Sequence, residues 1–116
     1  MANEISVSIS CAISSAGQTV QGSGSYLATL GGIGFMGNEQ TIGTAAEQLL
    51  IGDVTPAVVY IKNLDDTNFV EVDSANTMDS FPQKLHPGQS IILLPQTGTI
   101  YLQADTAPCK IWAVLG

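Results

Sequence analysis

Val59-Tyr60-Ile61-Lys62-Asn63-Leu64-Asp65-Asp66-Thr67-Asn68-Phe69-Val70-Glu71-Val72 is the stretch on which the fold turns. Ala57 to Lys62 is β-branched and aromatic, Asn63 to Asn68 collects turn-forming residues, and Phe69 to Asp73 resumes the strand pattern. Together they predict a hairpin. Asn63 and Asn68 can bond to nearby backbone groups, and Asp65 or Asp66 can form an Asx turn, so the polar residues of the turn have a structural use first.

Downstream the same grammar repeats. Ser74 to Ser80 is a polar loop, and His86-Pro87-Gly88-Gln89 is a tight turn with proline where a fixed φ helps, leading into the apolar strand Ser90 to Leu94. Thr97-Gly98 turns the chain into Thr99 to Ala104, and Asp105 to Pro108 leads to the last strand, Cys109 to Leu115. Upstream, residues 4 to 13 alternate, with Ile5, Val7, Ile9, Cys11 and Ile13 on one side and Ser6, Ser8, Ser10 and Ala12 on the other. That alternation predicts a strand with one buried face. The segment from about 16 to 43 is rich in Gly, Ser, Gln and Thr, with weakly specified strands near Ser25 to Leu30 and Ile33 to Met36. It reads as ordinary loops or as an arm that a partner orders. Thr44 to Ile51 has helix-favouring residues but is bracketed by Gly43 and Gly52, too short a span to hold an isolated helix, so it reads as extended with at most one helical turn. Short strands separated by turns every eight to twelve residues predict an all-β chain: one antiparallel, jelly-roll-like β-sandwich domain over residues 1–116.

Composition bounds the function. The chain has 116 residues, of which 45% are hydrophobic and only 11% charged, about half the usual charged share. A chain of this size buries roughly 65% of its unfolded surface and exposes roughly 6,000 Å² when folded. Its three lysines and ten acidic residues are therefore spread thinly, as suits a protein covered by neighbours. With a net charge of −7 and no arginine, it has no electrostatic footprint for a phosphate backbone, so nucleic acid is not an expected partner. The start, Met1-Ala2-Asn3-Glu4, lacks the basic and apolar regions of an export signal, and no apolar run is long enough to span a bilayer, so no membrane association is expected either. Cys11 and Cys109 lack the spacing of metal or redox motifs and are expected to be buried, reduced thiols.

Catalysis is not expected. The one histidine, His86, sits in a turn between Leu85 and Pro87, where a solvated or backbone-bonded imidazole is the plain reading; no nucleophile elbow or phosphate loop occurs. Asp65 and Asp66 are neighbours in a turn and cannot face one another across a cleft. Asp65, Asp66, Asn68 and Asp73 could offer oxygens to Ca²⁺ from one hairpin, but the spacing matches no calcium loop and solvated turn carboxylates are the simpler account. No cofactor and no metal are expected.

The quoted stretch also resembles a pattern in small structural proteins of tailed bacteriophages, where a strand ending in Lys- or Arg-Asn-Leu-Asp meets a Thr-Asn-aromatic-Val-Glu-Val strand. Lys84-Leu85-His86-Pro87-Gly88-Gln89 and Tyr101-Leu102-Gln103-Ala104-Asp105-Thr106-Ala107-Pro108 match the same style, in order, so the resemblance covers the second half of the chain. It implies a virion β-sandwich: a capsid decoration (cement) protein, or a small tail- or baseplate-associated one. The partner it implies is the major capsid protein, while further copies of the chain, with a trimer the leading expectation, are expected from the sparse charge and from Ile91 to Leu94 being apolar on both faces. The location it implies is the virion, most of all the capsid surface, after synthesis in the host cytoplasm.

The strand phases suggest where such contacts lie. In the last strand Cys109, Ile111, Ala113 and Leu115 share one face and Lys110, Trp112 and Val114 the other, while Ser90 to Leu94 is apolar on both faces. Tyr60, Ile92, Leu94, Tyr101 and Trp112 are therefore the candidate interface residues, since a sandwich strand wet on one side should not be apolar on both. A local loop covering the outer face is the alternative. A carbohydrate- or receptor-binding module offering Tyr26, Tyr60, Tyr101 or Trp112 to a sugar is a functional alternative of another class, poorly supplied by one tryptophan and 6% aromatic residues.

Overall fold

A computed structural model describes residues 4–29, 35–52, 54, 56–79, 82–94 and 99–116. Its described elements are all β: β1 (Glu4–Ser15), β2 (Gln18–Thr29), β3 (Met36–Ile42), β4 (Glu47–Gln48), β5 (Val59–Asn63), β6 (Val70–Asp73), β7 (Gln83–Leu85), β8 (Ser90–Leu93), β9 (Tyr101–Ala104) and β10 (Cys109–Leu115). Every pairing is antiparallel. β3 to β10 form two four-stranded sheets, ordered β3-β10-β5-β8 and β4-β9-β6-β7, and β1 and β2 form a separate two-stranded ribbon.

Alternation in the sequence becomes layering. Val59, Ile61, Ile111, Ala113 and Leu115 point inward from the first sheet and Val70, Val72, Leu85, Leu102 and Ala104 from the second, and they belong to one buried cluster. The perfect in-out pattern expected of Cys109 to Leu115 is what β10 has, and its central place between β3 and β5 follows, because a strand with such a regular apolar face serves best where both edges are paired. Residues 44–51 form no helix: the chain bends at 44 and 45 and then enters β4, a two-residue strand, so the helix-favouring composition is overridden by pairing with β9.

The hairpin expected at 57 to 73 does not form. β5 pairs with β8 and β10, whereas β6 pairs with β7 and β9 in the opposite sheet. The residues between them cross the roughly 10 Å separating two packed sheets. Asn63 makes the crossing possible. It is fully buried, its Nδ2 donates to the carbonyls of Asn68 (2.9 Å) and Leu85 (2.8 Å), and its Oδ1 accepts from the Asp65 amide (2.9 Å). The Asp65 carboxylate then accepts from the amides of Thr67 (2.9 Å) and Asn68 (2.6 Å), which is the Asx turn expected from the sequence. His86 to Gln89 is a second crossing, from β7 to β8. Its turn closes with Gln89 N–H donating to His86 O at 2.9 Å, and Gly88 supplies the positive φ of 81° that a type II turn requires.

The first strand departs most from expectation. β1 and β2 pair without a bulge over 12 residues each, joined by a tight turn with Ala16 at φ 52° and Gly17 at φ 80°. The expected short strand near Ser25 to Leu30 is thus the end of a long one, and of the strand expected at Ile33 to Met36, residues 33 and 34 lie outside the described residues. Val7 is buried and Ile5 half-buried, but Ile9, Cys11 and Ile13 are exposed, so the buried face expected over residues 4 to 13 exists only at its start. Cys11 is correspondingly an exposed free thiol, and only Cys109 is the buried one expected. The reason is positional: the ribbon is a separate two-stranded sheet, and past its base no second layer of described residues lies against it.

Candidate functional surface

The two sheets differ on their outer faces. From the second sheet, Gln48, Tyr101, Gln103, Glu71 and Lys84 point outward, a polar set with Glu71 directly opposite Lys84. From the first, Val114, Tyr60 and Ile92 form one cross-strand row and Trp112, Lys62 and Ser90 the next. The apolar row forms the floor of an open pocket of about 610 Å³, roofed by the base of the ribbon through Ile5 and Val7 and flanked by Phe35 and Val58. Val7 and Val58 are buried there, outside the main core.

Of the five candidate interface residues, three share this face. Tyr60 and Ile92 are direct cross-strand neighbours, and Trp112 stands diagonally from Tyr60. Leu94 follows β8 in the phase of Ile92 and is exposed. Tyr101 does not join them, because β9 belongs to the other sheet. Trp112 is 39% exposed, and its indole lies over Gly37 on β3, where an added Cβ would come within 2.9 Å of Cζ2. Glycine at 37 is what lets the ring lie flat on its neighbouring strand. The alternative of an outer face covered by the chain itself therefore holds for part of the sheet: the ribbon base covers Tyr60 and Ile92, and Trp112 remains beside it. The aromatic residues named for sugar stacking are scattered over three surfaces, with Tyr26 on the ribbon, Tyr60 and Trp112 on one sheet and Tyr101 on the other.

The polar residues singled out in the sequence are tied into the fold. Asp65 is held below the usual carboxylate range by the backbone amides of Asn68 and Thr67. Asp73 accepts from Ser74 N–H at 2.7 Å at the far end of β6 from Asn68, so the four oxygen donors considered for Ca²⁺ do not converge. Among the described residues no group of three His, Cys, Asp or Glu side chains is placed to hold a metal ion. His86 stands edge-on to Phe69 with ring centroids 5.7 Å apart, and Lys84 Nζ lies 4.7 Å from the centroid of the same ring. Cys109 is fully buried, with the carbonyls of Ala107, Phe69 and Asn68 at 3.6 to 3.8 Å from its sulfur. Burial, and after it the negative charges of Asp65 and Asp105, push its thiol up.

Two features escaped the sequence reading. Gln40 is buried on β3, where its amide bonds the carbonyl of Gln48 (3.2 Å) and the N–H of Leu50 (3.0 Å), serving an edge segment that has no strand partner on that side. The other is the ribbon. Residues 5 to 38 contain no Asp, Glu, Lys, Arg or His, so every charge except Glu4 falls at Glu39 or later, a partition visible in the sequence once looked for. Compared with protein-family models, curated proteins and solved structures, the chain matches none.

Proposed function

We propose that this chain is a non-enzymatic structural protein of a tailed-phage virion, a capsid decoration protein that binds further copies of itself and the major capsid protein, and that its two facing sheets form a jelly roll. The strand order supports the fold reading. Between β3 and β10 every connection passes to the opposite sheet except β6 to β7, and the orders β3-β10-β5-β8 and β4-β9-β6-β7 are those of two interleaved Greek keys. Jelly rolls recur in capsid and lectin domains, but a fold alone selects no function, so the functional part rests on the surface.

The observation that carries it is the asymmetry of the outer faces. One sheet presents polar residues to water. The other also carries Glu39, Lys62 and Lys110, but its Val114-Tyr60-Ile92 row and Trp112 form an apolar strip, partly beneath the ribbon base, that continues into an amphipathic ribbon uncharged beyond Glu4, the kind of surface that works by buried area. On this reading the polar face looks outward from the particle and the apolar side meets neighbours.

The test is cosedimentation of the purified chain with assembled capsid shells that lack it, followed by electron microscopy of the product. Saturable binding at repeated lattice positions is the expected result. Density on the tail alone would move the protein to a tail-associated role, and binding to glycans but not to particles would replace the reading with the sugar-binding one.

A further inference from the structure

Resting on the self-association in that reading, we propose that the free half of the β1–β2 ribbon is the surface through which a second copy of this chain binds, ribbon against ribbon. Paired residues of an antiparallel ribbon share a face, so Ile9, Cys11 and Ile13 of β1 lie beside Gly24, Gly22 and Val20 of β2. This strip continues the face whose base, Ile5 and Val7, already packs on the chain's own sheet. Beyond that base none of the described residues covers it: Ile9 is 52%, Ile13 68% and Val20 73% exposed. The opposite face carries mainly serine, threonine and glutamine, as a solvated side should.

Three observations identify the occupant as another copy. The first is surface. The chain exposes 7220 Å², about 1,200 Å² more than the roughly 6,000 Å² expected for its mass, and that surplus exceeds the roughly 800 Å² that each partner buries in a lasting interface. Its radius of gyration, 15.3 Å against about 13 Å for a compact chain of this length, likewise reports a projecting element. The second is charge. A copy carrying −7 is repelled by the acidic body and approaches with least repulsion along the uncharged ribbon, which offers a basic or acidic partner nothing to pair with.

The third is shape. Glycine inside a strand weakens it, and a Cβ built at Gly22 or Gly24 would meet nothing within 4 Å, so the chain's own packing gives no reason for either. Close approach of another backbone does. A rotation axis parallel to the strands brings the Ile9–Cys11 ridge of one ribbon over the Gly24–Gly22 hollow of the next, and the same axis serves a pair or a ring of three. The bare edges agree, since neither strand carries the lysine, proline or bulge that keeps the edges of monomeric sheets from pairing.

Cys11 lies in the middle of the strip and reports on it, with buried Cys109 as the internal control. Sedimentation and timed alkylation of the full chain are followed together from about 1 µM to about 1 mM, a span that brackets weak association. Cys11 is expected to react freely when dilute and at least about tenfold more slowly once copies associate. Ile13→Glu should abolish association without changing the circular dichroism spectrum, because Ile13 is 68% exposed and belongs to no part of the buried core. Gly22→Val supplies a second variant: it should leave the subunit as stable or more so, since a β-branched residue suits an open strand position, yet weaken association about tenfold. Association with Cys11 still fully reactive, or unaffected by both variants, would overturn the ribbon interface and leave self-association standing. A chain that stays monomeric throughout would overturn both.

Discussion

Replacing Asn63 by alanine tests the crossing that separates this fold from the hairpin its sequence suggests. The side chain is fully buried and makes three hydrogen bonds, donating to Asn68 O and Leu85 O and accepting from Asp65 N. A bond of this kind contributes about 1 kcal/mol net, but leaving a buried carbonyl without a partner costs about 1–3 kcal/mol. The Leu85 carbonyl loses this partner in the interior, that of Asn68 is half-buried and keeps only the weak Cys109 S–H contact, and the amide of Asp65 lies near the surface where water can replace the lost acceptor. The expected loss is therefore about 3–5 kcal/mol, a large part of the roughly 5–15 kcal/mol that holds a domain together. With an unfolding entropy of about 2.1 cal/mol/K per residue, a loss of about 4 kcal/mol in this chain lowers Tm by about 16 °C. Urea unfolding followed by tryptophan fluorescence reads the first number, and thermal melting followed by circular dichroism reads the second. Asn63→Asp separates the donors from the acceptor: it keeps Oδ1, loses the amide protons and buries a charge, so it should be the worse variant at pH 7 and recover as the pH falls and the carboxyl is protonated. A fall of less than about 1 kcal/mol for Asn63→Ala would mean that solvent reaches these carbonyls and that Asn63 is not the tie between sheets.

Three further outcomes follow from the same geometry. Because the Asp65 carboxyl is held low by the amides of Asn68 and Thr67, its contribution is present above the ordinary aspartate range and is lost as pH falls through its folded value; urea midpoints below about pH 4 should drop, and Asp65→Ala should flatten that acid limb. Cys109 shifts the opposite way, upward, so its contribution is complete below the ordinary thiol range and is lost as pH rises through its folded value; at neutral pH a thiol reagent should modify Cys11 in the native chain and Cys109 only after denaturation. Gly37→Ala places a Cβ against the Trp112 ring and should lift it, moving its emission to longer wavelength, raising acrylamide quenching and costing about 1 kcal/mol; unchanged emission would show that the ring does not depend on Gly37.

How much of this was legible in the sequence depended on whether the deciding interaction was local. The alternation of Cys109 to Leu115 marked both faces of β10 correctly, and His86-Pro87-Gly88-Gln89 read as the tight turn it is, because each is set by residues within a few positions. The partner of β6 was not legible: the residues linking it to β5 suffice to turn back or to cross, and what selects crossing is the Asn63 bond to Leu85, 22 residues away. Alternation over residues 4 to 13 showed an amphipathic strand but could not say what covers it, so Ile9, Cys11 and Ile13 were assigned to a buried face that the chain alone does not provide. The interface residues divided for the same reason. Tyr60 and Ile92 became neighbours through pairing of β5 with β8, while Tyr101 lay in a strand of equal apolar character that joins the other sheet.

The sparse charge that first suggested burial by neighbours has an uneven distribution. Residues 5 to 38 hold none of it, and all but Glu4 lies at residue 39 or later, in the strands of the two sheets and the segments that connect them. Electrostatics and apolar burial are thereby assigned to different parts of the molecule. The acidic body is kept from its copies by repulsion that fades over a Debye length of about 8 Å at physiological salt, while the ribbon, with a base anchored at Val7 and a tip beyond the sheets, extends farther than that repulsion acts. Twelve residues at about 3.4 Å each make the ribbon about 40 Å long, several Debye lengths. An exposed two-stranded ribbon of that length is marginal in water by itself, so the apolar side chains along it stabilise the molecule fully only when something lies against them. The feature that makes the isolated chain least compact is then the feature through which an assembly would be held together.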